Sequence, residues 1–403
     1  MKIAILTQYY KPEMGAPQNR LYEMAVGLKK FGADITVITG MPNYPTGKIF
    51  KEYSGKWFCK ENLDGIDIFR FWLFASNVKR VLPRVLSMLS FSFSVLFSLK
   101  YVRKKRFDFI IVESPPLTLG LSGYFLSKVC KSKMIMNISD LWPLSARELG
   151  VLTDGVIYCM LEKLEYFLYK KSVACMGQSQ EIVSYISQHG ASRTYLFRNG
   201  VTPERFQNIP NKKRTNGNLI IVYAGLLGVA QGILEICQKI DFKSLGTEFH
   251  IYGAGGEQHL IEEFLLTNSE RGISFHGRVS RDEIPSLLKQ ADVTLIPLVK
   301  NIFGAVPSKI YESMAAGVPI LFAGEGEGQR IIEENCLGWV SRSRDYEKLI
   351  ENIKLIRSND IDMLQKRENC KNAAENLFNR PKQIKALFQY LSLIHISEPT
   401  RPE

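Results

Sequence analysis

The seven cysteines of this 403-residue chain, at 59, 130, 159, 175, 237, 336 and 370, include no CxxC pair. That argues against a zinc site or a disulfide frame and for a reducing cytosol. Histidine is scarce, and His189, His250, His259 and His276 have no metal-like spacing, so they read as structural or exposed. No GxxxxGK[ST] run occurs, so there is no P-loop. No GxGxxG follows the first apolar run, which argues against a nicotinamide dehydrogenase. The one DxD, Asp360-Ile361-Asp362, falls in a charged helical stretch and reads as solvated. The start, Met1-Lys2-Ile3-Ala4-Ile5-Leu6-Thr7, reads as a strand and has no small-residue cleavage site, so no secretory signal is expected. Acidic residues are missing altogether from Phe71 to Phe107.

What is present fits two globular domains: 45% hydrophobic and 23% charged residues over a length that gives each its own core. The net charge of +12 lies wholly in the first half. Residues 1–200 hold 27 Lys+Arg against 15 Asp+Glu, and residues 201–403 hold 25 of each. That asymmetry suggests a polyanionic partner. Lys79, Arg80, Arg84, Lys100, Arg103, Lys104, Lys105 and Arg106 flank Val85–Leu99, whose 15 residues are apolar or serine. The run is short of the roughly 20 needed to cross a bilayer. Leu86, Leu89, Phe93, Leu96 and Phe97 share one helical face. Segment 79–106 therefore reads as an interfacial helix docked on an anionic cytoplasmic membrane surface, with no nucleic acid as partner. The plain alternative is a core crossover helix with solvated ends.

Along the chain, Lys2–Thr7 is a predicted strand, Gln8–Asn19 a loop, Arg20–Phe31 a helix closed by Gly32, and Asp34–Thr39 the next strand. That is one parallel βαβ unit. Residues 40–75 read as irregular apart from a strand at Ile66–Trp72. Further strands are expected at Phe107–Glu113 and Lys133–Ile138. Their ends carry Glu113-Ser114-Pro115-Pro116 and Ser139-Asp140-Leu141-Trp142-Pro143, and ligands collect at such ends of open α/β sheets. Asp140 fits either a reacting carboxylate there or the cap of a following helix. Residues 208–218 fit a linker.

The second half repeats strand, glycine loop and helix. Gly225 and Gly228 follow one strand, Gly253 ends the next, and His276-Gly277-Arg278-Val279 follows a third. The stretch Val306-Pro307-Ser308-Lys309-Ile310-Tyr311-Glu312 to Gly317-Val318-Pro319 predicts a helix over about Lys309–Ala316. Ser308 suits its N-cap, Gly317 a left-handed C-cap, and Pro319 forbids resumption. Such a helix start offers free N–H groups to an anion, and Glu312 offers a carboxylate to ribose hydroxyls. A charged helical region, Tyr346–Phe378, and an amphipathic helix, Pro381–Leu391, follow. The last residues, from Ile394, show no periodicity and resemble translated sequencing-adapter sequence; residues 392–403 are read as a non-native tail.

These motifs, in this order and with Arg198-Asn199-Gly200-Val201 between the halves, resemble glycosyltransferase family 4 over nearly the whole chain. Ser-Asp-Leu-Trp-Pro and Pro-Ser-Lys-x-x-Glu resemble the bacterial O-antigen and capsule enzymes, including transferases of N-acetylfucosamine. The resemblance implies an α/β GT-B fold: two facing Rossmann-like domains, at 1–200 and 201–378, and a helix at 379–391 returning to the first. It implies a retaining transferase that needs no cofactor or metal. The sugar would move from a UDP-sugar to a polyprenyl-diphosphate-linked saccharide at the inner face of the plasma membrane. Carried over, Glu312 binds ribose, amides around Val306, Pro307, Ser308 and Lys309 face the phosphates, Arg278 and Val279 bracket the base, and Gly15 sits beneath the diphosphate. Gly225, Gly228 and Gly253 line the approach.

Two departures stand out. The family's sugar-contacting glutamate is Gly304 here, and its basic phosphate loop is Val229-Ala230-Gln231-Gly232. Lys309 is therefore expected to supply the phosphate charge, with Asp140 and Glu113 as candidates for the acceptor proton or the sugar's positive charge. The rival readings are a non-catalytic nucleotide-sugar-binding protein of the membrane surface and a nucleotide-sugar epimerase of the same fold.

Overall fold

The computed structural model describes residues 1–76, 81–207, 209 and 217–397. Lys79, Arg80 and most of the expected linker lie outside them. The chain divides into two compact units. One comprises Met1–Arg198 and the chain from Pro381 onward, the other Asn199–Arg380.

The first unit is built on an eight-stranded sheet. Its strands are β1 (Lys2–Leu6), β2 (Asp34–Gly40), β3 (Phe58–Leu63), β4 (Ile66–Phe71), β5 (Phe109–Ser114), β6 (Lys133–Ile138), β7 (Ala174–Gly177) and β8 (Thr194–Leu196), in the order β3-β4-β2-β1-β5-β6-β7-β8. All pairs are parallel except β3 with β4. Strands β1, β2, β5, β6 and β7 are buried on both faces. Ala4 and Leu6 enter one core with Ile110 and Val112, while Ile3 and Ile5 enter the other with Phe109 and Ile111. Two covered faces explain why these strands read as apolar runs rather than as alternation.

Three elements differ from the sequence reading. The hairpin β3–β4 adds β3, in the stretch read as irregular, to the strand expected at Ile66–Trp72. Its turn is Asp64-Gly65, both at positive φ (52° and 72°), the two-residue signal of a tight hairpin. The first helix starts at Ala16, not Arg20, because Pro17 fits the opening turn, where no N–H is needed. The last helix runs Arg380–Ser397, past the expected end at Leu391, and Ile384, Leu387, Leu391 and Ile394 are buried in the first unit's core. Burying a side chain the size of Ile394 contributes about 1.5–3 kcal/mol, and the Lys133 ammonium donates to the Ile394 carbonyl at 2.9 Å.

The basic segment is also longer than expected. Helix Val81–Ser94, a 3-10 turn Val95–Ser98 and helix Leu99–Val102 follow one another. Leu82–Val102, 21 residues, is long and apolar enough to cross a membrane by length and composition. One side of it is committed to the protein: Phe91, Val95 and Val102 are buried in the core under the sheet. Of the basic residues expected at its ends, Lys105 is folded onto Asp67 at 2.6 Å and onto Thr36. Its charge is neutralised within the fold.

The second unit has a wholly parallel six-stranded sheet: β9 (Leu219–Leu226), β10 (Thr247–Ala254), β11 (Ile273–Phe275), β12 (Val293–Pro297), β13 (Ile320–Ala323) and β14 (Gly338–Ser341), in the order β11-β10-β9-β12-β13-β14. The order reverses between β9 and β12, as it does between β1 and β5 in the first unit. Crevices open at the carboxyl ends of strands at such points.

Candidate functional site

In the second unit, β12 leads into the predicted helix Lys309–Ala316, which ends on Gly317 at φ 66°. Ser308 holds the N-cap position expected of it but does not cap with its side chain. Its own backbone is helical (φ −62°, ψ −23°) and its hydroxyl caps nothing, because the turn already begins at Pro307, whose carbonyl accepts from the Ile310 amide. The amides of Ser308 and Lys309 donate to no backbone acceptor among the described residues. Both residues line one cavity with Tyr223 of β9, two positions before Gly225, which pairs in register with Gly253. A Cβ on Gly253 would lie 1.8 Å from the Gly225 carbonyl oxygen, at φ 152°, so the two strand ends approach as only glycine permits.

The space left beside Gly225 holds the Lys309 side chain, whose Cε would be 2.2 Å from a Cβ there. The ammonium lies 5.2 Å from the centre of the Tyr223 ring and makes no ion pair among the described residues. Burial lowers its pKa, and the charge of Glu312, one turn on, opposes the shift. A cation held in this way is short of a counter-charge, which suits it to an entering anion. Tyr223, Gln231, Lys300 and Val306–Lys309 are among the residues that line a cavity of about 250 Å³ here. Gly228 opens the turn that carries Gln231, whose amide donates to the Gly228 carbonyl at 2.9 Å. The Gln231 side-chain oxygen is buried without a partner. Gln231 and Lys300 were passed over in the sequence reading, although Gln231 stands where a basic residue was noted as missing. Arg278 and Val279 follow β11, at the sheet edge, and do not line the cavity; Arg278 is exposed and Val279 packs against the core.

In the first unit, the ends of β5 and β6 carry a dense polar network. Glu113 and Arg20 form a 2.6 Å pair with side chains only 6% and 5% exposed. The Glu113 carboxylate also accepts from Ser139 and Asn137. Arg20 further donates to Ser139 and to Gln178. Burial raises the Glu113 pKa against the pull of Arg20, Ser139 and Asn137. With both oxygens engaged, Glu113 is placed to orient its neighbours and not to take an acceptor proton. Asp140 is different. It is half-buried and its carboxylate has no hydrogen-bond partner among the described residues. Burial pushes it up to about 6; Arg20 opposes and Glu113 reinforces the shift. The cap reading fails, since helix Leu144–Glu148 starts after Pro143 without a side-chain cap.

Gly15 precedes helix Ala16–Lys30, and a Cβ on it would lie 2.3 Å from the Gln18 side-chain oxygen. The loop before it is fixed by Glu13, buried and accepting from the amides of Tyr10, Asn43 and Tyr44. Neither Arg20 nor Glu13 carried a sequence signal beyond its residue type. Asp360 and Asp362 lie in the first turn of helix Asp360–Asn376, where Asp362 pairs with Lys366 at 3.2 Å. Among the described residues, no group of three His, Cys, Asp or Glu side chains is placed to hold a metal ion.

Residues 15–200 match the model of the glycosyl transferase 4-like domain, and residues 205–377 that of glycosyl transferases group 1. The probable glycosyltransferase WbjE of Pseudomonas aeruginosa is 29% identical over 308 residues, covering 72% of this chain and 76% of the relative. The putative colanic acid biosynthesis glycosyl transferase WcaI of Escherichia coli is 25% identical over 338 residues, covering 79% and 82%. Among solved structures, Anabaena Alr3699/HepE in complex with UDP superposes with a TM-score of 0.71 at 15% identity, over 98% of this chain and 100% of that one. WaaG, a glycosyltransferase of lipopolysaccharide biosynthesis, does so with 0.66 at 14% identity, over 96% and 99%. The two Rossmann-like units are those of the GT-B fold, and with both domains matched the chain is a glycosyltransferase of group 1 with a glycosyltransferase 4-like domain at its N-terminal side.

Proposed function

We propose that this glycosyltransferase moves a sugar from a UDP-sugar to a polyprenyl-diphosphate-linked saccharide in bacterial polysaccharide biosynthesis, with retention at the anomeric carbon and without a metal. The observation that carries the reading is the cavity lined by Ser308 and the half-buried Lys309, whose side chain lies against Gly225 and whose helix start leaves amides without a backbone acceptor among the described residues. A diphosphate needs those three things: close approach, N–H donors and an unpaired cation. UDP is taken as the nucleotide because the HepE structures hold UDP or a UDP-sugar. The polysaccharide setting follows the names of WcaI and WaaG, and the N-acetylfucosamine-like sugar follows the motif resemblance alone.

In this reading Glu312 accepts from ribose hydroxyls, Arg278 and Val279 bracket the base, and Gly15 makes room for the diphosphate. The bond that breaks joins the anomeric carbon to the β-phosphate oxygen. Negative charge then gathers on the diphosphate, where Lys309 and the amides of Ser308 and Lys309 stabilise it. The new bond forms to an acceptor hydroxyl oxygen, whose proton must leave. Asp140, ionised at neutral pH from a value of about 6, accepts it or steadies the sugar's positive charge. The basic first unit docks on the cytoplasmic leaflet, where such an acceptor resides.

The test is to incubate the purified chain with a panel of UDP-sugars and a polyprenyl-diphosphate-linked saccharide. UDP release, a mass gain of one sugar on the acceptor, an unchanged anomeric configuration by NMR and insensitivity to a chelator are expected. Inversion, or complete loss of activity with chelator, overturns those parts of the proposal. Isomerisation of the UDP-sugar with no acceptor consumed overturns the transfer itself.

A further inference from the structure

Two parallel helices of the first unit, not one, present a largely apolar surface. Between Leu82 and Phe97 the exposed positions are Leu82, Arg84, Leu86, Leu89, Phe93 and Phe97, all apolar but Arg84. Helix Leu117–Cys130 exposes Leu121, Phe125, Lys128 and Val129, again apolar except at its last turn. Phe93 is 64% exposed and Phe125 48%. A surface helix of a globular protein turns its polar face to water; these turn Leu and Phe. The helices are pinned together by the Ser92–Thr118 hydroxyl pair at 2.9 Å and by Ser122 donating to the Ser92 carbonyl at 2.6 Å. Toward their carboxyl-terminal ends, Arg103 is near enough to the Cys130 thiol for its charge to oppose the rise that burial causes.

The rim of this surface has its own character. Trp57, half exposed, packs edge-on to Phe97 at 6.0 Å and stacks on Trp72 at 5.3 Å. Indoles in that position suit the boundary between water and acyl chains. At the shared end, Lys100, Arg103, Lys104, Lys128 and Lys131 make no ion pair among the described residues. From Phe71 to Ser139 the only acidic residues are Asp108 and Glu113, and Glu113 is buried. An apolar stripe with a tryptophan beside it and unpaired cations at one end is complementary to an anionic bilayer: acyl chains for the stripe, headgroups for the cations.

We propose that helices Leu82–Val102 and Leu117–Cys130 together form a two-helix platform that inserts into an anionic lipid surface, with Leu121 and Phe125 in contact with acyl chains. The inference rests on the membrane docking proposed above and assigns it a second element. It predicts an insertion face two helices wide, which fixes how the first unit lies on the leaflet; one helix would leave it free to roll about its axis.

The test uses the full chain and vesicles of phosphatidylglycerol with phosphatidylethanolamine, read by co-sedimentation. Leu89→Glu with Phe93→Glu disrupts the first helix's stripe, and Leu121→Glu with Phe125→Glu the second's. All four positions are exposed, so folding should be retained, which near-UV circular dichroism checks. Each pair should weaken partitioning at least tenfold. Independently, the indole introduced by Phe125→Trp should be quenched by lipids brominated on their acyl chains, beyond any quenching of the parent protein. If the first pair releases the protein while the second pair binds as the parent does and the new indole is not quenched, the platform is overturned and a single-helix dock remains. If neither pair weakens binding, membrane docking by this face fails altogether. A dimer that forms without vesicles and is dissociated by the second pair, with vesicle binding unchanged, would assign the face to a second copy and overturn the proposal.

Discussion

The two crevices are built by opposite means. At the ends of β5 and β6 the first unit fills the space with side chains, and Arg20, Glu113, Ser139, Asn137 and Gln178 hydrogen-bond to one another. At the ends of β9 and β10 the second unit removes side chains, so that Gly225 and Gly253 bring backbone to backbone and a single lysine is left unpaired. The filled network leaves one carboxylate beside it, Asp140, without a hydrogen-bond partner among the described residues. An emptied one leaves room for a large anion. Substitutions should therefore act on different quantities in the two places: stability and turnover in the first, ligand affinity in the second.

The sharpest break in that contrast is Arg20→Met. It leaves Glu113 buried without its cation, and removal of one partner of a buried pair costs about 3–5 kcal/mol. A large fall in the urea midpoint is expected, partly restored by adding Glu113→Gln, while calorimetric affinity for UDP stays unchanged. A stable Arg20→Met protein would show that the network does not hold the first crevice.

Asp140→Asn should act on turnover. A proton-handling carboxylate contributes about a hundredfold or more in rate, so kcat should fall by that order with little change in donor KM. The parent's rate should decline as pH drops through about 6, where Asp140 takes up its proton; the variant should lack that limb. The stability sign is opposite. Since the folded state holds this proton more tightly than the unfolded one, the parent loses stability as pH rises from the ordinary carboxylate range through about 6. The variant should therefore be the more stable above that pH. A variant with parental rate would make Asp140 a bystander.

In the second crevice, Lys309→Ala should weaken UDP binding by about tenfold to a hundredfold, roughly 1.4–3 kcal/mol, the range of a charge-assisted contact. Glu312→Gln should weaken it less. Thermal stability should hold or rise, because Lys309 is desolvated without an ion pair in the free protein. Parental UDP affinity in Lys309→Ala would remove the lysine from the donor site.

How far the sequence carried follows the same contrast. The second crevice is assembled from local signals: Gly317 after a helical stretch, Pro319 beyond it, glycines at strand ends. All are readable because backbone conformation depends on near neighbours. The first is assembled from distance. Arg20 meets Glu113 across 93 positions, and nothing near either residue announces the pair. Helix Leu117–Cys130 went unread for a related reason: it buries Leu119 and Leu126 and exposes Leu121 and Phe125, so no polar face marks its period. Ser308 stands at the N-cap as expected, but its helical backbone and the turn begun at Pro307 leave its hydroxyl without a capping bond, which residue type alone does not reveal. The hairpin could have been found from Asp64-Gly65.

The smallest effect tests whether every buried carboxylate of the first unit belongs to the crevice. Glu165 lies on helix Val156–Lys171, fully buried, with Tyr169 donating at 2.6 Å and Tyr185 at 3.4 Å. Burial pushes it up to about 7 against those two hydroxyls. Neither oxygen has a cation among the described residues, unlike Glu113. The folded state therefore prefers Glu165 protonated, and stability should decline as pH rises from about 4 through about 7. Glu165→Gln keeps the shape and an acceptor for Tyr169 while removing the ionisation. It should be neutral to slightly stabilising at pH 6 and stabilising by about 1 kcal/mol or more at pH 8, a difference smaller than the loss at Arg20. Activity should be unaltered at both, since Glu165 has no contact with Asp140, Glu113 or Arg20. Urea denaturation at the two pH values measures the first, and UDP release the second. A loss of activity in Glu165→Gln would join this carboxylate to the crevice network and end the distinction drawn between them.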